Sequence, residues 1–185
     1  MTTIFKIFKA WLPLAIATAG LCGLVYLAVQ QSLRIGANDP QIQMAEDAAS
    51  ALNGGASVDS IVPSTRVELS TSLAPFIIVF DDSGKVLAST ATLHGSVPVY
   101  PPGVLDYTRQ HTEDRVTWQP ESGVRMASVA VHYDKGFIVA GRSLREVEIR
   151  IGNIQNICGL ALLAIWVATF LVVGLGELTG PRKAA

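Results

Sequence analysis

Five side chains in this 185-residue chain are of the types a small-molecule site needs. Tyr100, Tyr107 and Trp118 offer aromatic walls, and Arg125 and Arg142 offer guanidinium forks for a carboxylate or phosphate. A plainer reading makes Tyr107 and Trp118 core residues and pairs the arginines with Glu113, Glu121 or Glu146. His94, His111 and His132 fall in separate stretches with no cysteine nearby, so they predict ordinary surface or half-buried imidazoles and no metal site. Asp81 and Asp82 precede Ser83-Gly84 and read as turn residues. No G-x-S-x-G, H-E-x-x-H or P-loop spacing occurs, so neither an enzyme nor a cofactor is expected. No basic patch of nucleic-acid type is present.

Those residues sit in a middle segment whose elements must position them. Asn38-Asp39-Pro40 is a helix-start signal, a capping residue ahead of a proline with pre-set φ. Ile42, Ala45, Ala48, Ala49 and Leu52 then recur at helical spacing until Gly54-Gly55. Residues 53–75 read mainly as loop. Phe76 to Phe80, the turn 81–84 and Lys85 to Ser89 form a hairpin pattern. After a Gly/Pro-rich stretch, Val104 to His111 fits a short helix with Leu105 and Tyr107 toward its buried side. Strands are expected at Arg115 to Gln119, Val124 to Tyr133 and Phe137 to Arg142. Ser143-Leu144-Arg145-Glu146 matches the S-x-x-E capping box, opening a helix that continues into an apolar run.

Register decides whether the two arginines can act together. A two-residue Asp134-Lys135 turn pairs Ala127 with Arg142 and puts Arg125 on the same face. A three-residue turn with Gly136 as a bulge separates them, because a one-residue slip exchanges faces. The glycine favours the bulge, so a two-arginine clamp is not the expected arrangement.

Two apolar runs bracket this segment, at 11–29 and 157–176, and neither contains Asp, Glu, Lys or Arg. At about 19 to 20 residues each spans about 28 to 30 Å as a helix, enough for a bilayer core. Lys6 and Lys9 before the first run resemble a signal-peptide n-region, but the run is long for one and no small-x-small cleavage site follows. An uncleaved anchor is expected. Lys6 and Lys9 on one flank, and Arg182 and Lys183 on the other, place both ends in the cytoplasm by the positive-inside rule. Cys22 and Cys158 both lie inside the runs and read as apolar filler. Ala15, Ala19 and Gly23 fall at four-residue intervals, a small-xxx-small face that permits close helix approach.

The expected fold is therefore α+β, with about five antiparallel strands between two transmembrane helices. Here the chain resembles the extracytoplasmic PAS-like sensor family called Cache, or PDC, domains. The resemblance is carried by residues 76–89, Phe-Ile-Ile-Val-Phe-Asp-Asp-Ser-Gly-Lys-Val-Leu-Ala-Ser, and by 137–148, Phe-Ile-Val-Ala-Gly-Arg-Ser-Leu-Arg-Glu-Val-Glu. In that family the first stretch is the opening hairpin and the second is the last strand passing into the signalling helix. The resemblance implies a bacterial inner-membrane sensor, commonly a homodimer, with a pocket between the sheet and the crossover segment.

The expected organisation is a cytoplasmic tail (1–10), a first span (11–29), a Cache-like domain (38–150), a second span (157–176) and a short cytoplasmic tail (177–185). Residues 31–152 would be extracytoplasmic. The function expected is sensing of a small-molecule ligand or a stress, with Ser143 and Glu146 at the start of the transmitting helix. So short a final tail points to a separate kinase, chemoreceptor or other effector. The competing expectation is a membrane-anchored scaffold that binds no ligand. Sensing predicts a closed pocket with convergent polar groups; scaffolding predicts a filled core and an exposed apolar patch.

Overall fold

The computed structural model describes residues 3–36 and 39–179. In chain order the elements are α1 (Thr3–Gly36), α2 (Asp39–Asn53), α3 (Val58–Ile61), β1 (Val67–Glu68), β2 (Phe76–Asp81), β3 (Val86–Ser89), β4 (Ala91–Thr92), α4 (Pro102–His111), β5 (Glu113–Glu121), β6 (Val124–Tyr133), β7 (Gly136–Ser143) and α5 (Arg145–Thr179). The chain divides into two units, Arg34–Ile149 and the two long helices outside it.

The first unit is α+β, with a five-stranded antiparallel sheet in the order β3-β2-β7-β6-β5. The sheet forms because β2, β6 and β7 are rich in β-branched and aromatic residues. Both faces are covered, so these central strands are buried almost throughout. One face carries Phe76, Ile78, Phe80, Met126, Phe137 and Val139 beneath α4 and the crossover segment between β4 and α4. The other carries Ile77, Val79, Val129, Val131, Ile138 and Ala140 beneath Ala45, Ala48, Ala49 and Leu52 of α2. Each fully buried Ile, Val or Phe contributes roughly 1.5–3 kcal/mol of transfer free energy.

Three local expectations need correction. The 53–75 stretch is not only loop. It holds the short helix α3, capped by the Ser57 hydroxyl, and β1, which pairs parallel with β4. Residue pairs are too few there for periodicity to register. Tyr107 is not on the buried side of α4; it is 48% exposed and stacks on His111, while Leu105 and Thr108 face inward. The expected Asn38 cap lies outside the described residues.

The hairpin between β6 and β7 also differs from expectation. Tyr133 pairs with Gly136 and Ala127 with Arg142, the register of a two-residue Asp134-Lys135 turn. Gly136 is required for another reason. It lies against β2, where a Cβ would stand 2.1 Å from the Phe80 carbonyl oxygen and 2.8 Å from the Asp81 Cα. The glycine serves close strand approach rather than a bulge.

In the second unit, α1 and α5 are both long and apolar enough to cross a membrane, the two-helix arrangement of a two-pass membrane protein. Both cysteines are free. Trp11 and Trp166 meet edge to face, with centroids 5.9 Å apart, and Phe170 stacks edge-on to Trp11 at 5.7 Å. Ala15 is the one buried residue of α1. Its carbonyl accepts the Trp166 indole N–H at 3.2 Å, so the small side chain makes room for a ring. Gly23 takes no part in close backbone approach, since a Cβ there would meet nothing within 4 Å. Ala19 is half-buried. Of the Ala15-Ala19-Gly23 face, Ala15 is the residue that meets the Trp166 ring of α5.

Candidate functional site

The five residues expected to line a ligand pocket do not converge. Tyr100 and Trp118 lie on the α4 side of the sheet, in the same cluster as Phe76 and Met126. Arg125 and Arg142 alternate with that set along β6 and β7 and so project on the α2 side. The two arginines do share a face, against expectation, because the turn is two residues long. Tyr107 belongs to neither group.

Between the sheet and the crossover segment, this chain places its own side chains. The Tyr100 and Trp118 rings meet edge to face at 5.0 Å, and Trp118 meets Phe76 at 6.0 Å. Tyr100 is buried, and its hydroxyl lies 3.0 Å from that of Ser128, which also donates to the Val116 carbonyl at 3.2 Å. The polar handle of the tyrosine is therefore satisfied internally. Burial pushes the Tyr100 phenol far above its ordinary range, so it stays neutral. Beside this filled face runs an open groove of about 590 Å³, lined by Val99, Pro101 and Val104 on one wall and by Val116, Trp118 and Pro120 on the other. Val99 is 85% exposed at its rim.

The arginines instead fasten the start of α5 to the sheet. Arg125, at the beginning of β6, reaches Glu148 at 2.5 Å, and Arg142, near the end of β7, reaches Glu146 at 3.7 Å. Arg145 donates to the carbonyls of Ser70 and Thr71 in the loop after β1. The pairing of Arg142 with Glu146 was legible in the sequence as an i, i+4 spacing. The Arg125–Glu148 pair was not, because it depends on register.

The start of α5 differs from the expected S-x-x-E box. The Ser143 hydroxyl accepts the Arg145 N–H at 3.2 Å, two residues on rather than three. The Leu144 carbonyl accepts the Glu148 N–H at 2.8 Å, making Leu144 the residue that opens α5. Ser143 remains the last residue of β7 and is buried. The Gln41 side-chain oxygen, on α2, and the Arg142 Nε are both buried without a hydrogen-bond partner among the described residues.

The acidic turn behaves as its composition implied. Asp81 Oδ1 accepts the Ser83 N–H and hydroxyl and the Lys85 N–H. These bonds, the Ser83 hydroxyl foremost, hold the carboxyl below its usual range. No group of three or more His, Cys, Asp or Glu side chains that could hold a metal ion occurs among the described residues. Sequence reasoning did not find the link between His94 Nε2 and Glu121 Oε2, which are 2.8 Å apart. The two are far apart in sequence, and no local pattern joins them. No protein-family model, curated protein or solved structure matches this chain.

Proposed function

We propose that this chain is a non-enzymatic, membrane-anchored sensor of the Cache-like kind that takes its input by protein contact rather than through an enclosed small-molecule cavity. In this reading it is a two-pass protein of the bacterial inner membrane, with both termini cytoplasmic and residues 31–152 outside. It passes its state to a separate effector, with a second copy of the chain as a natural partner. The observation that carries the reading is the filled sheet face: the Tyr100 and Trp118 rings pack on each other and the Tyr100 hydroxyl meets that of Ser128 between the sheet and the crossover segment. The three arginine tethers at the start of α5 support the relaying role, since a change in strand position there alters the helix directly.

A scaffold without signalling is the second reading, favoured by the same filled face and by the exposed apolar rim at Val99. The full chain in lipid nanodiscs separates these readings from a small-molecule receptor. A thermal-shift screen against amino acids, organic acids and nucleotides should give no shift. A photo-crosslinker at Val99 should yield adducts in cells while one at Lys135 does not. A shift of several degrees, abolished by Tyr100→Ala or Arg142→Ala, would establish a small-molecule receptor instead. Arg125→Ala with Arg142→Ala should uncouple output without loss of the adduct in a sensor, and change nothing in a scaffold.

A further inference from the structure

The His94–Glu121 contact ties the turn after β4 to the end of β5. His94 and Gly95 occupy left-handed backbone, φ +52 and +80, at the tip of a tight turn. Leu93 and Ser96 close that turn by exchanging backbone hydrogen bonds of 2.7 and 3.1 Å. The left-handed conformation is unfavourable for a non-glycine residue, so it persists where neighbours hold it. Here the neighbour is Glu68 of β1, whose carboxylate accepts the His94 N–H at 3.0 Å, the Ser70 hydroxyl at 2.9 Å and the Thr92 hydroxyl at 3.2 Å. The ring, with its backbone so fixed, is delivered to Glu121 at the end of β5. Glu68 and Glu121 are the charged groups that face His94, one from each element packed against it, and both are acidic.

The same two segments are the walls of the open groove. Val99 and Pro101 follow the His94 turn, and Pro120 immediately precedes Glu121. We propose that His94 and Glu121 form an acid-strengthened latch that holds the crossover segment against the β5–β6 turn and narrows the groove beside Trp118. Protonated, the imidazole is an ion-pair partner; neutral, it keeps at most a plain hydrogen bond to the carboxylate. The Glu121 hydrogen bond and charge raise the His94 pKa, while the His94 N–H lowers that of Glu68. A raised histidine contributes stability that is complete below its unfolded pKa of about 6.5 and is lost as pH climbs through the folded value. The latch is thus closed in mild acid and loosens across neutral to alkaline pH. It stands independently of the sensing role.

The test is exchange of the hydrogen-bonded amides at positions 93, 94 and 96, beside the latch, in the full chain in nanodiscs, normalised for intrinsic exchange, at about pH 5.5 and about pH 8.5. Wild type should be about two- to fivefold more protected at the acidic value, the span of an exposed ion pair. Both His94→Gln and Glu121→Gln should abolish that difference. Glu113→Gln, on the same strand but paired with Arg115, should retain it. Equal protection at both pH values in wild type, or a difference that survives in either latch variant, would overturn the proposal. So would its disappearance in Glu113→Gln. Two latch variants keep the test decisive if one of them folds poorly.

Discussion

Trp11 and Trp166 exchange hydrogen bonds between the two long helices in a matched pattern. The Trp11 indole N–H donates to the Trp166 carbonyl at 3.1 Å and to the Thr169 hydroxyl at 3.0 Å. The Trp166 indole N–H donates to the Ala15 carbonyl and the Thr18 hydroxyl, each at 3.2 Å. Each indole thus reads a carbonyl and the threonine three residues further along the opposing helix. Both threonine hydroxyls are themselves anchored to carbonyls of their own helices. In lipid, where apolar contact alone gives little drive to associate, such bonds decide which helix faces pair.

Trp166→Phe should therefore weaken the helix pair by about 0.6–1.7 kcal/mol, the range for interhelical hydrogen bonds in membranes. Trp11→Phe should do the same, and the double variant should depart from the sum, because the two rings pack edge to face on each other. Steric trapping of the two helices in bicelles measures this. If Trp166→Phe is silent while Trp166→Ala is costly, ring packing and not the hydrogen bonds holds the pair.

Tyr100→Phe removes the hydroxyl while Ser128 keeps its bond to the Val116 carbonyl. The expected loss is about 1 kcal/mol by urea titration of the full chain, far below the roughly 3–5 kcal/mol for emptying the ring position with alanine. The folded Tyr100 phenol has a raised pKa, caused chiefly by burial. Its contribution is complete below the unfolded value of about 10 and is lost as pH rises beyond it, when only the unfolded chain can ionise. Stability should fall above about pH 10 in wild type and fall less steeply in Tyr100→Phe. Tyr133, also raised by burial, leaves a remainder of the effect in the variant. Parallel slopes would show that Tyr100 is hydrated.

Gly136→Ala should be far more damaging than Gly123→Ala. Both glycines have positive φ, but a Cβ at 123 meets open space, whereas one at 136 overlaps the Phe80 and Asp81 backbone. The first change costs about 1–2 kcal/mol for conformation alone. The second adds an overpacking cost of about 1–3 kcal/mol or more, since the obstacle is β2 itself and not a flexible side chain. Equal losses by chemical denaturation would mean that β2 and β7 separate at that end without penalty.

The arginines show how far the sequence reaches. Arg142–Glu146 follows from spacing on one stretch of chain, as does the Asp81 turn, whose hydrogen bonds span only four residues. Arg125–Glu148 joins β6 to α5 and His94–Glu121 joins the turn after β4 to the end of β5, elements that meet only once the chain has folded. Gly136 shows the same limit: its own hairpin suggests a bulge, while the backbone that requires the glycine belongs to a strand more than fifty residues earlier.

Hydrophobic length and periodicity are local quantities, so the sequence alone determined the two long apolar helices, the five strands of the main sheet, their antiparallel character and the helix that follows β7. Which faces those strands present, and what fills them, depends on register and on what packs above each face. Only the tertiary structure decided that Tyr100 and Trp118 occupy one side of the sheet and the arginines the other. It also decided that the face expected to hold a ligand is closed by the chain itself. The physical reason is the two-residue period of a strand: one step of register, set by a distant backbone contact, reassigns every side chain at once.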